Sequence, residues 1–521
     1  MSRTEERLWE RARNYMAQGQ AHAARVTLES LLQRMPNSAA VNLQLGGLAY
    51  AEDRLRDCTR HTVAAANALP DDPEAILQIV LTLLQVGETR LARRCLESPA
   101  IARCRNGKTL ARLAGARQML GDHHESLELL DRARALGHDD ADFRFVRAVQ
   151  LLFNGKPEEA ESELDACLRM GSTYGRASVT LARLHKQTRE KNHIDFIRGQ
   201  LQRVPRGSED DAAFEYALYK ELEDLGDYDA AWAALERGSA ILFARLRYDP
   251  AVESRLVDDL AKLCTPEFVR PTAAQADGPQ PIFIVGMPRS GTTVLDRILG
   301  NHSEVISAGE LGDFARAMRW GADHKTIQPI DRIILDRAPK LDYAEIGQRY
   351  LAQTQWRAEG KRFYVDKLPI NWVQAGFIRR ALPHARILHM TRDAMDTCFS
   401  NFRAYFGVGY AYSYNFEALA AHYRDYRRLL DHWHAVMPGQ ILDVSYARLI
   451  GDPEAVTREV LDFCGLPHEA DLAELHRNTA PVATLSSQQV REPIHQRAVG
   501  EWRRYERQLE PLRRAVGAHG T

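Results

Sequence analysis

Between residues 286 and 293 the chain reads Gly286-Met-Pro-Arg-Ser-Gly-Thr-Thr293, two glycines five apart followed by two hydroxyls. The apolar run Pro281–Val285 precedes it and Val294–Leu299 follows, so the expected context is strand, loop, helix. A glycine-bounded loop that opens a helix aims backbone N–H groups and the positive end of the helix dipole at one point. That is chemistry for a phosphate-like anion. A nucleoside-triphosphate loop needs Lys directly after its second glycine, to reach the β- and γ-phosphates. Thr292 stands there instead, and the loop's cation is Arg289. The pattern suits a different phosphate-bearing anion.

Three more runs read as strands: Lys361–Val365, Arg386–Met390 and Gln440–Val444, with helical stretches between them. Alternation of this kind predicts an α/β domain whose parallel sheet presents ligands at the C-terminal ends of its strands. Polar residues follow each run at once: Arg289, then Asp366-Lys367, then Arg392-Asp393, then Ser445-Tyr446. Cationic side chains behind three different strands gather positive charge at one edge. An enzyme acting on a multiply phosphorylated ligand would be laid out in this way.

Pro281–Thr293 resembles the 5′-phosphosulfate loop of sulfotransferases that use 3′-phosphoadenosine-5′-phosphosulfate (PAPS). Arg386–Ser400, a strand followed by Thr-Arg-Asp and a Ser eight residues past the Arg, resembles their 3′-phosphate segment. The resemblance is strongest to the tyrosylprotein sulfotransferase branch and its repeat-fused bacterial relatives. It extends through Ala308-Gly-Glu310, Asp366–Trp372, Tyr446–Pro453 and Ser486–Pro493. It implies that Ser290, Gly291, Thr292 and Thr293 hold the phosphosulfate, with Arg289 facing the sulfuryl group. Arg392 and Ser400 would bind the 3′-phosphate, and Tyr446 would lie near the nucleotide. Lys367 would be the cation on the bridging oxygen and Ser486, or its neighbour Ser487, a hydrogen-bond donor to it. Glu310 would be the base, with His302 the rival for that role. No metal is needed if side chains supply the charge.

Two positions depart from the family pattern. Leu311 follows Glu310 where a second acid is usual, and Glu501 precedes Trp502 where a base is frequent. Arg503, Arg504 or Arg497 could compensate for the second. The stretch Phe402–Tyr414 is rich in aromatics and glycines. It reads either as a mobile acceptor-side loop or as a loop packing its own rings.

A second region precedes these motifs. Turn residues recur every 34 positions at Gly19, Asp53, Gly87, Gly121 and Gly155, and a small residue follows each by five: Ala24, Cys58, Ala92, Ser126, Ala160. Gly226 with Ala231 resumes the pattern after a divergent unit around Ser178–Glu190. A glycine turn joining two antiparallel helices that meet at a small residue explains this period. It resembles the tetratricopeptide repeat family, whose arrays bind peptides, partner proteins or further copies of themselves.

The expected fold is thus an α-helical tetratricopeptide-like solenoid (residues 1–245), a connecting helix and linker (246–280) and an α/β domain with a phosphosulfate-binding loop (281–515). The Ala-rich helix from Asp229 to Arg247 reads as a terminal cap.

Charge is balanced, 69 Lys+Arg against 70 Asp+Glu, which argues against a general nucleic-acid binder. The seven cysteines include no C-x-x-C pair and read as reduced, buried thiols. A charged N-terminus without an apolar core segment, and no stretch long enough to span a bilayer, suggest a cytoplasmic protein. The expected partner is a hydroxyl-bearing peptide, sugar or small molecule. The competing expectations are a repeat scaffold whose α/β half binds nucleotide without catalysis, and a P-loop kinase.

Overall fold

The computed structural model describes residues 1–171, 173–272, 277–478, 480–481, 483 and 499–517. Among these, sixteen helical segments, from Arg3–Ala17 to Pro250–Leu263, precede the first strand. The turn residues of the repeat all take positive φ: Gly19 71°, Gly87 83°, Gly121 82°, Gly155 75°, and Asp53 58°. Glycine adopts that conformation without a Cβ clash, and Asp tolerates it better than most residues. The small residues five positions on, Ala24, Cys58, Ala92, Ser126 and Ala160, are each fully buried where two helices cross. All seven cysteines are free and buried.

Five strands form one parallel sheet in the order β2-β3-β1-β4-β5. They are β1 (Gln280–Gly286), β2 (Val305–Ser307), β3 (Phe363–Asp366), β4 (Arg386–Thr391) and β5 (Ile441–Ser445). Four were expected. Three-residue β2 carries too short a run to be read. Central β1 is buried on both faces, with Ile282 and Ile284 in one apolar cluster and Phe283 and Val285 in another. The chain runs from β1 to one side of the sheet and later crosses to β4 on the other. The point where the strand order reverses therefore lies between β1 and β4, the usual place for a ligand at the C-terminal ends of the strands.

The helical array is docked onto the α/β unit. Asp53, standing where a glycine recurs, accepts hydrogen bonds from His324 Nδ1 (2.6 Å) and the Lys325 N–H (2.7 Å). Its carboxylate explains the exception in the repeat. Arg56 from the array and Arg349 from the α/β unit both pack over the Trp320 ring, at 4.6 and 4.5 Å. Arg349 also pairs with Glu88 at 2.8 Å.

Near the sheet the two halves share one core. The Tyr228–Leu246 helix does not behave as a cap with a polar outer face: Trp232 stacks on Phe402 (5.8 Å) and packs against Tyr505 (5.3 Å). The apolar cluster that includes Val179 and Phe214 continues into Phe283, Phe402 and Leu509.

Trp320→Ala removes both guanidinium–ring contacts at this docking surface. It is expected to cost about 1–3 kcal/mol and to broaden or split the calorimetric unfolding transition. An unchanged transition would show that these contacts do not couple the halves.

Candidate active site

The loop between β1 and the Thr292–Gly300 helix is fixed by two close approaches. Gly291, the N-cap, has φ 109°, and a Cβ there would lie 2.4 Å from Cδ2 of Tyr446. Gly286 has φ 151°, and a Cβ there would meet the Met390 carbonyl at 2.8 Å. Both glycines are therefore demanded by packing as well as by conformation. Arg289 between them also takes a left-handed φ of 66°, and Arg392 donates to its carbonyl at 3.1 Å. Asn401, on the Ala394–Phe402 helix, donates to the Pro288 carbonyl at 2.7 Å. The loop is thus held from β4 and from the helix behind it.

What this frame gathers is a set of hydroxyl and guanidinium groups. The Ser290 hydroxyl is buried, with no hydrogen-bond partner among the described residues. Thr292 and Thr293 open the helix, both buried. Arg392 lies over the Tyr446 ring at 4.9 Å, and Ser400 is buried on the helix that follows. Burial, then the neighbouring Arg183, Arg403 and Arg392 charges, lower the Arg289 guanidinium to about 9. Burial lowers Arg183 as well, whereas at Arg403 burial is outweighed by Tyr219, Glu501 and Glu223, which raise it.

Two carboxylates of this region hydrogen-bond to hydroxyls. Asp296 accepts from Ser307 Oγ at 2.9 Å, and Asp366 from the Tyr350 hydroxyl at 2.9 Å. Burial raises both above the usual carboxylate range, Asp366 strongly.

Lys367, just past β3, is 2% exposed, and its Nζ donates to Glu310 Oε1 at 2.6 Å. Glu310 follows β2 and remains more than one-third exposed at its carboxylate. A buried ammonium and an open carboxylate in contact are suited to moving a proton while holding an anion. Burial first and the Glu310 charge second raise the Tyr410 phenol.

His302 is placed differently. Its Nδ1 accepts from the Glu304 N–H (3.0 Å), so its Nε2 carries the proton toward the Pro467 carbonyl (2.9 Å). Both ring nitrogens are committed to the chain, and the ring is buried.

The 402–414 stretch is chiefly a packed loop. Tyr405, Tyr412 and Tyr414 are buried, Tyr412 stacking on His422 at 3.5 Å, while Val408 at the tip is 77% exposed. Ser486, Ser487 and Arg497 lie outside the described residues. Glu501, where a base was anticipated, pairs with Arg403, and Arg503 lies over Trp502 at 5.3 Å. Arg403 and Arg183 were not singled out from the sequence. Arg403 is one residue past a helix end, and Arg183 lies in the divergent repeat unit.

Residues 281–470 match the family model described as "Sulfotransferase family". The chain carries a sulfotransferase-family domain. With the array before it, the protein joins tetratricopeptide-like repeats to that domain.

A protein of Aquifex aeolicus (strain VF5) described as uncharacterized is 32% identical over 333 residues, 59% of this chain and 41% of the relative. A putative protein-tyrosine sulfotransferase of Caenorhabditis briggsae is 26% identical over 43% of this chain and 80% of its own length. Protein-tyrosine sulfotransferase 2 of Gallus gallus is 24% identical over 42% of this chain and 62% of its own. The chain thus spans less than two thirds of the Aquifex and Gallus proteins. Among solved structures, the sulfotransferase domain of the Synechococcus PCC 7002 olefin synthase is 20% identical. It covers 45% of this chain and 91% of its own, with a TM-score of 0.30. No described helix is long and apolar enough to cross a membrane.

Substituting Gly291→Ala in the sulfotransferase domain forces the new methyl into Tyr446 and strains the backbone. Expected is a loss of about 2–4 kcal/mol in chemical denaturation. Pairing it with Tyr446→Ala should recover only the steric part. Wild-type stability for the single variant would contradict the close approach.

Proposed function

We propose that the protein transfers a sulfuryl group from PAPS to an acceptor hydroxyl, with protein tyrosine the leading acceptor class. The observation that carries this reading is the Lys367–Glu310 contact of 2.6 Å beside a loop rich in anion-binding groups. A nucleotide-binding scaffold has no use for a buried ammonium paired with an exposed carboxylate at that spot.

In the proposed reaction the 5′-phosphosulfate is cradled by the N–H groups and hydroxyls of Ser290–Thr293, with Arg289 on the sulfuryl oxygens. The 3′-phosphate takes Arg392 and Ser400, and Tyr446 flanks the nucleotide. Donor binding draws Lys367 toward the bridging oxygen and releases the Glu310 carboxylate. Glu310 then accepts the acceptor's proton as its oxygen attacks sulfur in line. The new O–S bond forms, the S–O bond to phosphate breaks, and the negative charge left on the 5′-phosphate is met by Lys367 and Ser486. The products are a sulfated acceptor and adenosine 3′,5′-bisphosphate. Side chains supply all the charge stabilisation in this scheme.

The 24–26% identity to protein-tyrosine sulfotransferases supports a tyrosine acceptor. The repeats would bind the acceptor protein or another partner. The described residues, without a membrane-length helix, fit a cytoplasmic setting.

Labelled PAPS with a tyrosine-containing acidic peptide, a simple sugar and a small phenol as acceptors tests the reading. Lys367→Ala should lower transfer by about 10²–10³-fold and Glu310→Gln by about 10²–10⁴-fold, both with donor binding retained. Donor binding without transfer to any acceptor would leave the scaffold reading standing.

Affinity for the donor should also depend on pH through Arg289. The guanidinium is a cation below its lowered value of about 9 and neutral above it. Donor affinity should therefore hold at neutral pH and fall as pH rises through about 9, by up to about tenfold per unit. Arg289→Met should bind weakly and without that dependence.

A further inference from the structure

Three side chains outside the transfer site converge on the sheet face beneath the Phe416–Val436 helix. Strand alternation sends Leu388 and Met390 of β4, with Val444 of β5, into one apolar cluster. Ile387 and Ile441 lie on the opposite face, in the cluster that also holds Leu429, Leu430 and Trp433 of the helix. A period of two therefore puts His389 and Asp443 on the helix-covered face. They are also register partners in the β4–β5 pair. Because β5 is an edge strand, this face is only partly roofed: the His389 side chain is 1% exposed and that of Asp443 48%.

His389 Nδ1 lies 2.6 Å from Asp443 Oδ1, and His434 Nε2, from the last turn of the helix, reaches the same oxygen at 3.1 Å. All three ligand atoms lie within 4.8 Å of one another. Two imidazole nitrogens and a carboxylate oxygen are a donor set for a borderline divalent ion such as Zn²⁺. Tetrahedral bonds of about 2.0–2.2 Å set ligand atoms roughly 3.3–3.5 Å apart. The present contacts would have to open by less than about 1 Å. His434 and Asp443, both partly exposed, have room for that shift.

The inner ligand is already oriented. His389 Nε2 is hydrogen-bonded to the Tyr426 hydroxyl, which leaves Nδ1 as the nitrogen turned to Asp443. A metal-bound histidine commonly gives its other ring nitrogen to such a partner, which fixes ring and tautomer. Tyr426 lies about two turns before His434 on the same helix, and its ring packs edge-on against Trp372 at 5.3 Å. One helix thus supplies an outer ligand and the support of the inner one.

We infer that His389, His434 and Asp443 form a binding site for one divalent ion of the zinc class, with water in the fourth position. The ion fastens edge strand β5 to β4 and to the end of the helix that covers them. No residue of this site belongs to the transfer site, and the inference does not rest on the reaction proposed above.

Titrating the tag-free, EDTA-stripped full-length protein with Zn²⁺ against a chromophoric chelator tests this. One equivalent with a Kd on the order of 1 μM is expected. Mg²⁺ in about hundredfold excess should not displace it, because a hard cation prefers oxygen ligands. His434→Ala and Asp443→Asn should each weaken that equivalent by about 30–100-fold, with circular dichroism unchanged. Zn²⁺ should also raise the Tm of the wild type and leave that of either variant where it was. Wild-type protein with no equivalent tighter than about 100 μM would overturn the site. So would an equivalent that survives either substitution, since it would belong to other surface histidines. Should one variant unfold, loss or survival in the other decides.

Discussion

Like charges held close together set the terms for this structure. At an effective dielectric of about 20, two unit charges about 8 Å apart repel by roughly 2 kcal/mol. At Arg289, behind the C-terminal end of β1, burial and then the Arg183, Arg403 and Arg392 charges lower the guanidinium. Glu501, Glu223 and Asp396 offset part of that repulsion. Packing elsewhere holds this arrangement in place, and under the proposed function a bound polyanion would stabilise it further.

The packing that holds it comes from both halves of the chain. The Tyr446 ring occupies the space where a Gly291 side chain would be, which fixes how closely the loop approaches that ring. Arg392 and Asn401 secure the loop's carbonyls from β4 and the helix after it. Tyr216 and Trp232 then join that helix to the repeats through a hydrogen bond and a stacked ring. The array is consequently part of the site's foundation. Farther away, Asp53 and Trp320 dock the earlier repeats by polar and cation–ring contacts, which are easier to separate.

Much of this was legible in the sequence where local chemistry dictates the outcome. The 34-residue spacing of turn residues predicts positive φ at each, and even Asp53 conforms. Five-residue runs rich in apolar and β-branched or aromatic residues predict four of the five strands, while three-residue β2 carries too little pattern to be seen. Residues at strand ends were found because topology alone brings strand ends together. Arg183 was not, because its place depends on how two separately folded layers meet, and no periodicity encodes that. The signal that could have led to it was the break in the repeat around Ser178–Glu190. Likewise, the Tyr228–Leu246 helix has a cap's alanine-rich composition, yet its tryptophan finds an apolar partner in Phe402. His302 illustrates the converse: its residue type suggested chemistry, and its two ring nitrogens are spent on the backbone.

The most direct test of a polyanion site built for PAPS is thermal unfolding of the full chain with adenosine 3′,5′-bisphosphate against ATP·Mg²⁺. A ligand at about 100 times its Kd stabilises the folded state by roughly 2.7 kcal/mol, enough to raise Tm measurably. The expected result is a clear rise with the bisphosphate and little or none with ATP·Mg²⁺. A rise with ATP·Mg²⁺ alone, or with neither, would contradict it.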